Sequence, residues 1–170
     1  MTALIGGVVA LLFMIGASTV TSVFSVQALV VHTSIAIATP LSLRRPFHEV
    51  ALVMLAVNFL ADQLASGPPG VYGLLLSVVF FAIFVVSQRI GGRYLLATAA
   101  IAAIASGVVD LGYGLMLSVF YPEAGLLRLF AVTFVPNAVA TALVALLFAW
   151  VVSVSERLSF RRSESRVTID

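Results

Sequence analysis

FHEVALVMLAVNFLADQLASGPPGVYGLLLSVVFFAIFVVS, residues 47–87, is too long and too apolar to be one element of a small soluble fold. As a single helix, about 41 residues at 1.5 Å each would reach roughly 60 Å, twice the hydrocarbon thickness of a bilayer. Its middle holds Ser66, Gly67, Pro68, Pro69 and Gly70, and the two prolines and flanking glycines make a turn that neither helix can absorb. The stretch therefore reads as a tight helical hairpin, with arms from about Phe47 to Ser66 and from about Gly70 to Ser87.

The same length argument applies upstream, where Ala3 to Leu43 carries no charged residue. Two helices must share it. The break falls best in the hydroxyl-rich run Ser18, Thr19, Thr21, Ser22, Ser25 and Gln27, giving spans near Ala3–Val23 and Val26–Leu43. A cleaved signal peptide is the rival reading of the first span, but the basic n-region is missing. Downstream, Tyr94–Phe120 closes at Tyr121, Pro122, Glu123, Ala124 and Gly125, and Leu129–Val154 follows. Pro136 should kink that last span or mark its first turn, with Asn137 beside it to bond freed carbonyls. Tyr72, Tyr94, Tyr121 and Trp150 fall near predicted interfaces, where rings with one polar edge are favoured.

The expected fold is all-α and integral to the membrane, a bundle of six transmembrane helices over residues 1–155 with a short cytoplasmic tail at 156–170, solvated and partly disordered. Composition agrees: 62% hydrophobic and 9% charged residues leave too little polar surface for a water-soluble globule. With no cysteine, disulfides, thiolate metal sites and thiol nucleophiles are excluded. The net charge of +2 reports topology and gives no reason to expect nucleic acid. All nine basic residues are arginine. In the six-span parse, Arg44, Arg45, Arg89, Arg93, Arg157, Arg161, Arg162 and Arg166 share one side and only Arg128 the other. Short basic loops stay in the cytoplasm, so both termini are expected inside.

Ionisable groups within spans cost a few kcal/mol on insertion scales and need a partner, a water-filled cavity or a job. Asp62 stands near the outer end of the third span with Asn58 one turn earlier on the same face. Structurally, Asp62 would accept hydrogen bonds from the turn or meet Arg128; functionally, it would contact a ligand or partner. Asp110 is deeper, on a helix carrying the small-residue stripe Ala99, Ala103, Gly107 and Gly114, which lets a neighbouring helix approach. Its expected partner is a polar side chain from another span, and His32 is a candidate. Tyr72-Gly73-Leu74-Leu75-Leu76-Ser77-Val78 and Tyr113-Gly114-Leu115-Met116-Leu117-Ser118-Val119 look alike, but one opens a helix and the other closes one, so they are read as coincidence.

Leu60 to Leu74, with its aspartate, short apolar step and Gly-Pro turn, resembles the rod shape-determining MreD family. Arg44-Arg45-Pro46 before it is similar to that family's basic inner loop, and Pro136-Asn137 with Glu156-Arg157-Leu158 resembles its last span and exit. The chain departs from the pattern in having Asn58 and bulky residues before Asp62, where small ones are common. The resemblance implies a fold similar to the substrate-binding subunits of energy-coupling-factor transporters and a place in the bacterial inner membrane. It implies a non-enzymatic scaffold of peptidoglycan elongation, without cofactor or metal. Its implied partners are membrane lipid, an MreC-like membrane-anchored protein and, through that protein, wall synthases and the MreB filament.

Two rivals stand beside this reading. A vitamin-type transporter subunit would need several convergent polar groups beneath its outer loops, and Asn58, Asp62, Gln63, Glu123 and Arg128 are those available. An aspartic peptidase would pair Asp62 with Asp110 to share a proton, yet no arginine follows either aspartate and there are too many spans.

Overall fold

The computed structural model describes residues 32–65, 67–90, 95–122 and 126–167. These form five helices and, among the described residues, no strand: α1 (Thr33–Ser42), α2 (Phe47–Leu64), α3 (Val71–Ile90), α4 (Leu95–Phe120) and α5 (Leu126–Val167). The expected first span lies outside the described residues, as do Tyr94 and Glu123.

The hairpin forms where the turn chemistry places it. Ala65 leaves α2 in an extended conformation (φ −77°, ψ 140°), and Gly70 enters α3 with φ 88°, a left-handed value that glycine adopts without a Cβ penalty. At the opposite end of the hairpin Phe47 meets Phe84 edge-on at 4.9 Å and stacks on Phe80 at 6.1 Å. Helices α2, α3, α4 and α5 pack each against the next in chain order, and α1 touches all four. Every residue of α1 is buried. The core around it includes Ile37, Met54, Val57, Leu76, Val109 and Phe148.

Two expectations about element boundaries are corrected. The second span is not one continuous helix over Val26–Leu43: His32 has φ −74° and ψ 76°, outside the helical range, and α1 starts at Thr33. Its ten residues cover about 15 Å, half the hydrocarbon thickness. The last apolar span ends at Val154 as read, but its helix does not: α5 continues to Val167 through the segment expected as a solvated, partly disordered tail. From Val151 to Val167 no glycine or proline interrupts it, and Pro136 also lies inside α5.

Small residues set the closest helix approach. Gly107 is buried on α4, and a Cβ there would run into the ring of Phe134 on α5, with its Cζ at 2.7 Å. Gly107 of the stripe thus faces α5, and α4 with α5 is the most extensive helix pair among the described residues. The outward faces are apolar: Leu52, Leu55 and Phe59 on α2 and Leu96 and Val119 on α4 are exposed. Among the described residues, four segments are long and apolar enough to cross a membrane, Phe47–Leu64, Val71–Ile90, Leu95–Phe120 and Ala131–Val154.

Candidate functional site

The interruption at His32 creates the polar centre of the bundle. As the residue before the first turn of α1, His32 has a backbone N–H without a helical partner, and it donates to Thr141 Oγ1 on α5 at 3.2 Å. Thr141 also accepts from Ser106 Oγ on α4 at 3.2 Å. The imidazole reaches in two directions: Nε2 lies 2.8 Å from Asp110 Oδ1, and Nδ1 lies 2.8 Å from the Tyr72 hydroxyl. The second carboxylate oxygen, Asp110 Oδ2, accepts from Asn137 Nδ2 at 3.1 Å. His32, Asp110 and Asn137 are all buried. The residue leading into α1 and helices α3, α4 and α5 each supply a member of this network.

Where the Asp110 carboxylate acts as acceptor, His32 Nε2–H is the donor to it. In the neutral imidazole Nδ1 is then the acceptor, and the Tyr72 hydroxyl donates to it. Low local dielectric strengthens each of these bonds and makes any unpaired member costly.

A second network closes the α2–α3 hairpin. Asn58, buried on α2, accepts at Oδ1 from Ser34 Oγ of α1 (2.5 Å) and donates from Nδ2 to Ser77 Oγ of α3 (3.3 Å). One turn along, Asp62 Oδ2 accepts from Gly70 N at 2.7 Å and Oδ1 from Gly73 N at 2.8 Å. Asp62 therefore satisfies N–H groups at the start of α3 that have no intrahelical partner, as a capping side chain does, but from the neighbouring helix. Gly73 permits this approach, since a Cβ there would sit 3.1 Å from Asp62 Cβ. Removing the carboxylate with Asp62→Ala should cost about 1 kcal/mol, the usual worth of a cap. The uncapped N–H groups lie near the turn, where water can reach them. Thermal unfolding in detergent checks this, and a loss several times larger would mean that Asp62 has a further role.

The turn residues divide in role. A Cβ on Gly67 would strike the Tyr113 hydroxyl and come within 3.1 Å of its Cζ, so Gly67 seats the turn on α4. Pro68 O accepts from Val71 N at 3.3 Å, starting the next helix. Pro69 is exposed. Nothing lies within 4 Å of a Cβ on Gly70, so Gly70→Ala should lose only the backbone strain of a positive φ, about 1 kcal/mol in the same assay.

Of the site residues expected from sequence, Asn58 and Asp62 fall on one face of α2 as read, and Asp110 finds His32. Asp62 binds the turn, at Gly70, and Arg128 is exposed on α5. The two aspartates bind separate donors and, among the described residues, do not bind each other. Tyr72 is turned inward to His32 instead of standing only as an interfacial ring. Ser34, Ser77, Ser106 and Thr141 carry no sequence signal that separates them from the many other hydroxyls in apolar helices. The two look-alike heptapeptides also acquire a shared place: in antiparallel α3 and α4, Tyr72 and Tyr113 meet edge-to-face at 5.0 Å.

Four membrane-length helices, wrapped about a buried half-length helix and a centre of paired polar side chains, define a multi-pass helical membrane protein. Comparison with protein-family models, with curated proteins and with solved structures returns no match.

Proposed function

We propose that this protein is a non-enzymatic scaffold of the bacterial wall-elongation complex, related to the MreD family. In this reading it lies in the inner membrane with six spans, both termini are cytoplasmic, and it grips an MreC-like partner by a lateral face of the bundle. The observation that carries the reading is the closure of the interior. His32, Asn58, Asp62 and Asp110 are each held by protein groups of this chain, which leaves the apolar helix faces and the turn as working surfaces. Apolar side chains such as Leu52, Leu55 and Phe59 give α2, the first helix of the hairpin, an outer surface for lipid or for a partner's transmembrane helix.

Affinity purification from native membranes tests it. The expected companion is a membrane-anchored protein with one span together with wall-synthesis components. Asp62→Asn, whose side chain is engaged inside the hairpin, should leave that companion's yield unchanged. Recovery of a nucleotide-binding coupling module instead would contradict the scaffold.

One feature supports the transporter-subunit alternative. A helix that begins inside the bundle, with the residue before it in a cluster of polar side chains, resembles a recurring way to build a solute site. Thermal stabilisation by a vitamin-like solute would select it.

A further inference from the structure

The scaffold reading uses the sides of the bundle and gives no task to the end opposite the α2–α3 turn. We infer that this end binds one anionic phospholipid, its headgroup phosphate held between Arg44 and Arg45 of the α1–α2 connection and Arg89 of α3, with an acyl chain along Phe81 and Val85. Such a site is independent of which partner the bundle grips.

The 20 residues of α3 span about 30 Å, the thickness of the hydrocarbon layer. Arg89 is in the last turn of α3 and therefore stands at headgroup level on the side away from the hairpin turn. The α1–α2 connection lies beside it. Ser87 Oγ donates to the Ser42 carbonyl at 3.1 Å, which ties α3, two residues before Arg89, to α1, two residues before Arg44. The backbone N–H groups of Arg44 and Arg45 both donate to Leu41 O, at 3.1 and 2.9 Å, and keep the connection at the end of α1. Three arginines from two parts of the chain thus share one end of the bundle.

Their neighbours leave that end cationic. The carboxylate beside them is Glu49, half-buried in the first turn of α2, next to exposed His48. Arg44 and Arg45 are half-buried and already interact within the protein. A guanidinium carries five N–H donors, so such a contact leaves others for a phosphate, whose oxygens match the planar fork.

The surface below the arginines favours a lipid over a soluble phosphate. Phe81, Val85 and Arg89 follow at four-residue spacing on one side of α3, and all three are exposed. Phe47, the first residue of α2, is exposed too and meets Phe81 edge-on at 6.4 Å. A chain lying on Phe81 and Val85 brings its headgroup to Arg89, whereas a free phosphate gains nothing from these side chains.

Native mass spectrometry of the full chain, titrated with phosphatidylglycerol in detergent that also contains phosphatidylcholine, counts the lipid retained. The expected result is preferential retention of phosphatidylglycerol that saturates at about one molecule per chain. Arg89→Gln should weaken it about fivefold, and Arg44→Gln with Arg45→Gln about 25-fold, the order expected for one and two basic residues at an anionic surface. Arg161→Gln with Arg162→Gln, which removes as much charge from the C-terminal part of α5, should leave it unchanged. No preference over phosphatidylcholine in the unaltered chain overturns the proposal, and this arm decides even if a variant fails to fold. Unchanged binding in the Arg44, Arg45 and Arg89 variants, or equal weakening by the α5 pair, also overturns it, the latter because it marks diffuse attraction. Displacement by inorganic phosphate as effective as by phosphatidylglycerol would assign the site to a soluble anion and overturn the lipid.

Discussion

Replacing Asp110 with leucine is expected to cost about 3 kcal/mol of stability in detergent, the upper end of what leaving a buried hydrogen-bond donor unsatisfied costs. The reason lies in what remains. Leucine takes the acceptor from His32 Nε2–H and removes one hydrogen bond from Asn137 Nδ2, in a centre where Asp110 is 1% exposed. Hydrogen bonds between neutral groups of membrane helices average only about 0.6 kcal/mol, so the larger figure tests whether His32 Nε2–H is left without an acceptor. The double variant Asp110→Leu with His32→Leu should recover part of the loss, because apolar side chains replacing both partners leave no orphaned imidazole donor. A single-variant loss near 0.6 kcal/mol, or strict additivity in the cycle, would mean that the two residues are not coupled.

A comparable effect is expected at Gly107. Leucine there must displace the Phe134 ring, whose Cζ would be 2.7 Å from the new Cβ, at the most extensive helix pair of the bundle. Overpacking of this kind costs about 1–3 kcal/mol, and the loss should fall in the upper half of that range because the added branch also needs room. Phe134→Ala in the same chain should relieve much of it, measured by unfolding in mixed detergent. If the second substitution gives no relief, α4 and α5 do not approach through Gly107.

Much of the bundle was legible because length, punctuation and charge are strong signals in a membrane chain. The prolines and glycines at 67–70 fix the hairpin, and the start of α2 at Phe47 and the end of α4 at Phe120 fall where they were read. Asp62 could be assigned to the turn from proximity alone, and His32 to Asp110 because few polar partners exist. What escaped has one physical origin. Hydropathy measures the cost of exposing side chains to lipid, and α1 is surrounded by protein, so it can stop at mid-depth without a change in composition. His32 and the adjacent Thr33 and Ser34 were the available sign, since hydroxyl residues favour helix starts, but the uncharged run from Ala3 to Leu43 outweighed it. The inward turn of Tyr72 was hidden for a related reason. An amphipathic ring near a helix end suits the membrane interface equally well, and only the position of His32 distinguishes the two.

The two ends of α3 carry the whole topological account: Pro69 in the turn before it and Arg89 in its last turn must lie on opposite sides of the membrane. With no native cysteine, single substitutions Pro69→Cys and Arg89→Cys can each be labelled with a membrane-impermeant maleimide in intact cells. Both sites are exposed. Labelling of Pro69→Cys from outside, with Arg89→Cys reacting only after permeabilisation, is the predicted result. Labelling of both from one side, or of Arg89→Cys alone from outside, would contradict the spanning hairpin or its orientation.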